Sequence, residues 1–491
     1  AVTSTESSGV MESEGHGATL TAPISLLIWA LILWLFVDDA DLQDFARSVL
    51  ERGEDLVYRM QAAVDCWIGT MGATGGAVNL HPNKTYWYLI DMVWTDHTWR
   101  YRTIEEMPGE LTAINAEGER VTVSRREPHH AAKTMGIYIA PSGNREAQIE
   151  YLESKAEEFA KQIQAKGPAT RNDIWIAYCH TIGTTLDYPM PATTLTLPEW
   201  DGVMKKVNQA ALPRAGIVRS MAHVVLYGPT LYQGFGRMHK WYRQELVHLK
   251  TLVTEVNRGS HIGTEFQVTV EQLKLETGYP GPWTDVPYCL MKDSTTDCMI
   301  KSLWCSCQEF GISIEDNFGS LPLRRVDDEC IMFIFATSGG YDSSALRLLN
   351  ICRCFLHVIT LADISTMTGD KLTQDAYHGC ISDQFLHNYE WPRAPPSLPP
   401  KFWNLWKQAL TKCFLQAGTD QNNLDLITPL GNWVQDPSEH WSWFYQPSSG
   451  DLFHSTADGA FRHTTGTATR ASSTAAVHLP VEFLPTLPPN T

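Results

Sequence analysis

The sequence predicts an α+β chain in which short, mainly antiparallel strands come first, a helical block follows, and a mixed α/β extension completes it. Three observations lead there. An apolar run from Ile24 to Val37 ends on the adjacent carboxylates Asp38 and Asp39, the pattern of a buried strand that turns abruptly toward solvent or a cation. Segments rich in aromatic and β-branched residues then recur from Thr85 to Ala140. From Arg145 onward the apolar spacing becomes helical.

Residues 1–23 are rich in Gly, Ser and Glu and read as a disordered or truncated leader; Glu6, Glu12 and Glu14 lie in no strand-like context. The run from Ile24 to Val37 is shorter than the roughly 20 residues a membrane-spanning helix needs, and no basic segment precedes it. A buried strand is expected, with no membrane partner. Two carboxylates this close repel each other, so they either face water or share a divalent ion, and hard oxygen ligands suit Mg²⁺. An exposed turn in which Asp41 caps the next helix would use the same residue types.

Phe45, Val49, Leu56, Met60, Val64, Trp67 and Met71 recur at helical spacing until Gly72 and the Gly75-Gly76 pair stop the helix. Lys84 then introduces the aromatic strand Thr85–Ile90. Further strands are expected at Tyr88–Val93, Trp99–Thr103, Val121–Val123 and Met135–Ala140, with Thr95–Thr98 as a polar turn.

This order resembles the second half of the palm of a reverse transcriptase of the retroelement type. Phe36-Val37-Asp38-Asp39 looks like the F/Y-x-Asp-Asp box, the helix running on to Lys84 looks like the motif after it, and Lys133-Thr134-Met135-Gly136-Ile137 is similar to the K-x-L-G primer-grip hairpin, with Met135 where Leu is usual. The resemblance implies an RNA-directed DNA polymerase using two Mg²⁺ ions, with Asp38 and Asp39 as metal ligands and catalytic residues. Lys84 becomes the candidate for neutralising or protonating the leaving group, although a solvated lysine at a strand start would look the same. Lys133 and Gly136 would hold the primer. The implied partners are an RNA or DNA template–primer duplex and a dNTP. Such enzymes need another metal-binding Asp upstream and a fingers region, and only 37 residues precede Asp38. The expectation is therefore a fragment that cannot extend a primer alone and whose partner is the missing N-terminal half. On this resemblance the Asp-Asp pair stands at a hairpin tip, on a sheet that also receives the Lys133–Ile137 hairpin.

The expected domains are a partial palm (24–141), a helical thumb (142–278), a mixed extension (279–390), a Pro-rich linker (391–400), a Trp-rich module of short strands (401–463) and a disordered tail (464–491). Pro141-Ser142-Gly143-Asn144 breaks the sheet, and Asn144 is placed to cap the next helix, whose stripe is Ile149, Leu152, Ala156, Phe159, Ala160 and Ile163. A second helix runs from Ile174 to Leu186 until Pro189 and Pro191. Arg237, Lys240 and Arg243, with His239, are the candidates for phosphate contacts.

The net charge of −17 runs against a nucleic-acid protein, yet from Asp201 to Ser260 nine Lys and Arg face only Asp201, Glu245 and Glu255. Eleven scattered cysteines suggest reduced thiols and an intracellular protein. Two other functions remain open. Ser338-Gly339-Gly340-Tyr341-Asp342-Ser343-Ser344, after the apolar Ile331–Ala336, resembles the phosphate loop of AMP-forming ATP pyrophosphatases, while a Gly-Gly turn with a Ser/Asp helix cap needs the same residues. A non-catalytic nucleic-acid-binding or interaction protein that kept the thumb is the other.

Overall fold

The computed structural model describes residues 18–31, 33–36, 39–46, 51–96, 98–165, 167, 169–279, 281–321, 323–366, 368–380, 389–418 and 423–432, and backbone strands between 443 and 484. The chain is mixed α and β with small sheets. It divides into two compact units, the first formed by 1–20, 28–264 and 297–303, the second by 21–27, 265–296 and 304–491.

The apolar run expected to be one strand is broken. Leu26 takes a positive φ of 57°, and the run continues as β2 (Ile28–Leu31), which pairs with β1 (Ala18–Thr21), and as β3 (Leu33–Phe36). Trp29 is its buried anchor, stacking on His261 and donating its indole N–H to the His261 carbonyl at 3.1 Å. Strand β3 pairs antiparallel with β4 (Asp39–Leu42), with Phe36 opposite Asp39.

Helix α1 (Gly53–Ala73) starts eight residues later than the periodicity suggested. The Arg59 guanidinium binds Asp44 at 2.9 Å, Glu51 at 2.8 Å and the Phe45 carbonyl at 2.6 Å, fastening these residues to the side of the helix. Glu54 and Asp55 in its first turn favour the positive helix end. Val57, Met60, Val64 and Ile68 pack on Leu111, Ala113 and Val123. These belong to a three-stranded sheet of β5 (Tyr86–Tyr88), β9 (Arg120–Arg126) and β8 (Leu111–Ile114). Its β5–β9 pairing is parallel, unlike the mainly antiparallel expectation; a hairpin of β6 (Met92–Thr95) and β7 (Thr98–Tyr101) and then β8 lie between those strands in sequence. Gln61 locks helix to sheet by bonding both the N–H and the carbonyl of Thr112.

Strands β10 (Ala132–Thr134) and β11 (Ile137–Ile139) form a separate hairpin. After it, Asn144 accepts from the Glu146 N–H at 3.0 Å and caps α2 (Glu146–Ala165), whose expected stripe is buried at Leu152, Ala156, Phe159, Ala160 and Ile163. The helix expected over 174–186 is three pieces: α3 (Arg171–Ile176), a π-helical turn (Ala177–Ile182) and α4 (Gly183–Asp187). Next come α5 (Leu197–Arg214) and α6 (Lys240–Arg258). The fully buried Trp200 donates to Gln244 at 2.9 Å, fastening α5 to α6.

In the second unit, α7 (His261–Thr277) carries the buried Glu271, which accepts from the N–H groups of Ile24, Ser25 and Gly319. The apolar run Ile331–Ala336 is the helix α8 (Ile331–Thr337), and Asp342 caps α9 (Ser343–Leu356) by accepting from the Ala345 N–H at 2.8 Å. Strand, loop and helix therefore do not follow one another at Ser338–Ser344, and the cap accounts for Asp342. The Pro-rich stretch is not a free linker: Trp391 stacks on His357 at 5.0 Å, Pro395 and Leu398 are buried, and α10 (Pro400–Phe414) follows. Five short strands from Trp443–Gln446 to Glu482–Leu484 form one sheet, and two of them lie within the stretch expected to be disordered. Among the described residues no helix is long and apolar enough to cross a membrane.

Asp328 gives this unit a pH dependence. It is buried and accepts from the N–H groups of Arg324, Glu329 and Ala362; burial, aided by the neighbouring Asp363 carboxylate, pushes its carboxyl up to about 6. A carboxyl whose folded pKa exceeds its unfolded value of about 4 favours the fold only while protonated. That contribution is complete below about pH 4 and is lost as pH rises through about 6, a change of about 3 kcal/mol. Urea midpoints measured across this window should fall with rising pH, and Asp328→Asn should flatten that part of the slope.

Candidate nucleic-acid interface

The Lys133–Ile137 segment folds as the sequence suggests. Met135 and Gly136 both take positive φ, 48° and 84°, as a two-residue type I′ hairpin turn requires. Pro128 and Pro141 flank the hairpin and lack the N–H needed to lengthen its ladder, and the hairpin is a two-stranded sheet of its own. It shares no sheet with β3–β4, which is a second two-stranded unit, contrary to the expectation of one sheet. Side chains tie it to β5 instead. The Tyr86 hydroxyl meets Thr134 Oγ1 at 3.0 Å, and the Tyr88 hydroxyl donates to the His130 carbonyl at 3.0 Å. Lys133 is exposed, its ammonium 4.9 Å from the Tyr151 ring centre.

The turn is held from the helical side as well, because the Tyr188 hydroxyl donates to the Met135 carbonyl at 2.7 Å. The residue before it, Asp187, binds Lys240 Nζ at 2.5 Å through one oxygen and Arg243 Nε at 2.6 Å through the other. One short segment thus connects the glycine hairpin to the basic start of α6, residues that lie about a hundred positions apart. Neither Asp187 nor Tyr188 carries a local sequence signal for this role.

The three candidate cations differ in what they offer. Lys240 is only 5% exposed and also donates to the Gly183 carbonyl at 2.8 Å, so its charge is used internally. Burial lowers its pKa and Asp187 opposes that shift. Arg243 keeps half of its side chain in solvent. Arg237 is half-buried, its guanidinium 5.5 Å from the ring centre of Tyr178 and 6.0 Å from that of Trp175. Lys240 is therefore committed to the framework, while Arg237 and Arg243 keep part of their guanidinium surface available. His239 is the N-cap of α6, its Nδ1 accepting from the Trp241 N–H and its Nε2 lying 3.1 Å from Asp201.

A small, largely enclosed cavity of about 10 Å³ is lined by Tyr178, Gly183, Tyr227, Arg237 and Lys240 among others. One wall is the π-helical turn; such turns widen a helix and recur at functional sites. Burial raises the Tyr178 pKa, and its hydroxyl donates to Asn208 Oδ1 at 2.9 Å, so the ring stays a neutral face beneath Arg237. Guanidinium groups on aromatic faces, the amino end of a long helix and a half-exposed Arg243 are together suited to oxyanions of a phosphate backbone.

Of the acidic pair, Asp38 lies outside the described residues, and Asp39 is the first residue of β4. Lys84 is exposed in the turn before β5, its N–H donating to the His81 carbonyl at 2.7 Å, and no described hydrogen bond links it to β3 or β4. Comparison with protein-family models, curated proteins and solved structures finds no match for this chain.

Proposed function

We propose that the chain carries the part of a retroelement reverse transcriptase that starts at its Asp-Asp motif and that it serves nucleotidyl transfer from a dNTP onto a primer 3′ end. The observation that supports this above the others is the antiparallel register of β3 on β4, the strands on either side of the motif, with Phe36 opposite Asp39. Helix α1 and the Lys133–Ile137 type I′ hairpin follow in the same unit. Asp38 and Asp39, as hard oxygen donors, fit Mg²⁺, which when bound would stabilise charge on the attacking and leaving oxygens.

The chain's own residues then divide the work. The Lys133 hairpin, braced by Tyr86 and Tyr188, would set the primer end; Arg237 and Arg243 would hold the duplex by its phosphates; Lys84 would meet the leaving pyrophosphate. The test is iron-directed cleavage, with Fe²⁺ in place of Mg²⁺ and an end-labelled primer annealed to an RNA template. Cuts should cluster at the primer 3′ end and disappear in the Asp38→Asn Asp39→Asn variant. Duplex binding without such cuts would leave a nucleic-acid-binding protein with no polymerase centre.

A further inference from the structure

We propose that the loop Gly228–Gly236 is a wedge that sets Leu231 and Tyr232 against the bases of a template–primer duplex while Arg237 and Arg243 hold adjacent phosphates. This rests on the nucleic-acid reading of the first unit and adds to it a contact that is not electrostatic.

The loop is closed on itself. Phe235 N–H donates to the Val225 carbonyl at 2.9 Å, Gly236 N–H to the Gly228 carbonyl at 2.8 Å, and Gly234 N–H to the Pro229 carbonyl at 3.0 Å. At this neck a side chain on Gly234 would collide with the Gly228 carbonyl, so glycine is what allows the two strands of the neck to touch. The tip turns through Pro229–Gln233, with Gln233 at φ 60°, and the Tyr232 and Gln233 N–H groups are satisfied within it. This short, self-bonded loop nonetheless displays Leu231 at 81% and Tyr232 at 78% exposure. Holding two large apolar side chains outward on a fixed loop leaves them hydrated until a partner covers them.

Charge identifies the partner. From Gly202 to Gln244 the sequence contains no Asp or Glu but has Lys205, Lys206, Arg214, Arg219, Arg237, Lys240 and Arg243, in a chain of net charge −17. In the fold Asp187 pairs with Lys240 and Arg243 and Glu157 with Lys206, while Lys205, Arg219 and Arg237 have no described ion pair; a partly uncompensated basic stretch on so acidic a chain matches a polyanion, not an apolar peptide. The neck of the loop also runs directly into Arg237 and the amino end of α6, where phosphate is favoured. A tyrosine ring stacks on any base, and a leucine fits between base edges, so the tip needs no particular sequence.

The experiment is fluorescence anisotropy of the full chain with a fluorescein-labelled DNA primer annealed to an RNA template, between roughly 50 and 200 mM salt. Tyr232→Ser and Leu231→Ser, both at exposed positions, should each weaken binding about tenfold or more with an unchanged slope of log affinity against log salt, and Tyr232→Trp should restore it. Arg243→Ala should lower that slope by about one. Equal affinity of the serine variants and the unsubstituted chain would overturn the wedge while leaving the nucleic-acid reading intact; no binding by the unsubstituted chain would overturn both. A dimer abolished by Leu231→Ser, with duplex affinity unchanged, would make a second copy the occupant and also overturn the wedge.

Discussion

Replacing Arg353 with leucine is expected to cost the second unit about 3–5 kcal/mol of stability. The guanidinium is completely buried, and no described carboxylate pairs with it. Its partners are the carbonyls of Leu275 at 2.6 Å, Glu276 at 3.0 Å and Val358 at 3.2 Å, with Nε donating to Asn350 Oδ1 at 2.8 Å. Leu275 and Glu276 end α7, where helix carbonyls lack intrahelical donors and the helix dipole favours a cation. Leucine would fill much of the space but leave these oxygens buried without donors. Lysine could reach only part of the set, so Arg353→Lys should recover a minority of the loss. Gly278 belongs to the same device, because at φ 62° a side chain there would press on the guanidinium at 2.8 Å. Urea unfolding followed by tryptophan fluorescence reads the effect, since Trp391 lies 5.8 Å from Arg353. A loss below about 1 kcal/mol would mean that the carbonyls find other donors.

Asp187→Ala should have a comparable effect in the first unit, about 3–5 kcal/mol, because it strands the buried Lys240 ammonium. The sign with pH follows from Lys240. Burial already depresses its pKa, and without Asp187 it falls further, so the variant should regain stability as pH rises and the lysine sheds its proton. Adding Lys240→Met to Asp187→Ala should restore most of the loss by removing the unpaired charge, leaving Arg243 freed from its partner. Thermal unfolding of the single and double variants at neutral and alkaline pH checks this. A single variant whose deficit grows with pH would contradict the assignment of the buried charge.

Much of the local structure was legible in the sequence where turn chemistry or helical spacing was strong. The Asn144 cap and the α2 stripe follow from residue types within a few positions of each other, whereas Met135, expected in a strand, takes the turn that only the resemblance to a glycine hairpin suggested. The run Ile331–Ala336 was not legible, because a short apolar segment suits a buried helix as well as a strand and only its packing decides. The run from Ile24 to Val37 hid a break at Leu26, a residue with no turn preference to betray it. The interface was half legible. Arg237, Lys240 and Arg243 stood out by charge, but which of them is buried depends on Asp187, more than fifty residues earlier, and on Tyr188 meeting the Met135 carbonyl. Proline content suggested a linker at 391–400, whereas Trp391 and Leu398 supply enough apolar surface to dock it.

The most direct measurement is the pattern of Fe²⁺-directed cuts along a labelled primer held by the intact chain. Cuts confined to the last few nucleotides at the 3′ end, absent from the Asp38→Asn Asp39→Asn variant and weakened together with duplex affinity in Arg243→Ala, are the expected result. Cuts spread evenly along the duplex, or unchanged when both aspartates are replaced, would contradict the assignment of a polymerase centre to this hairpin.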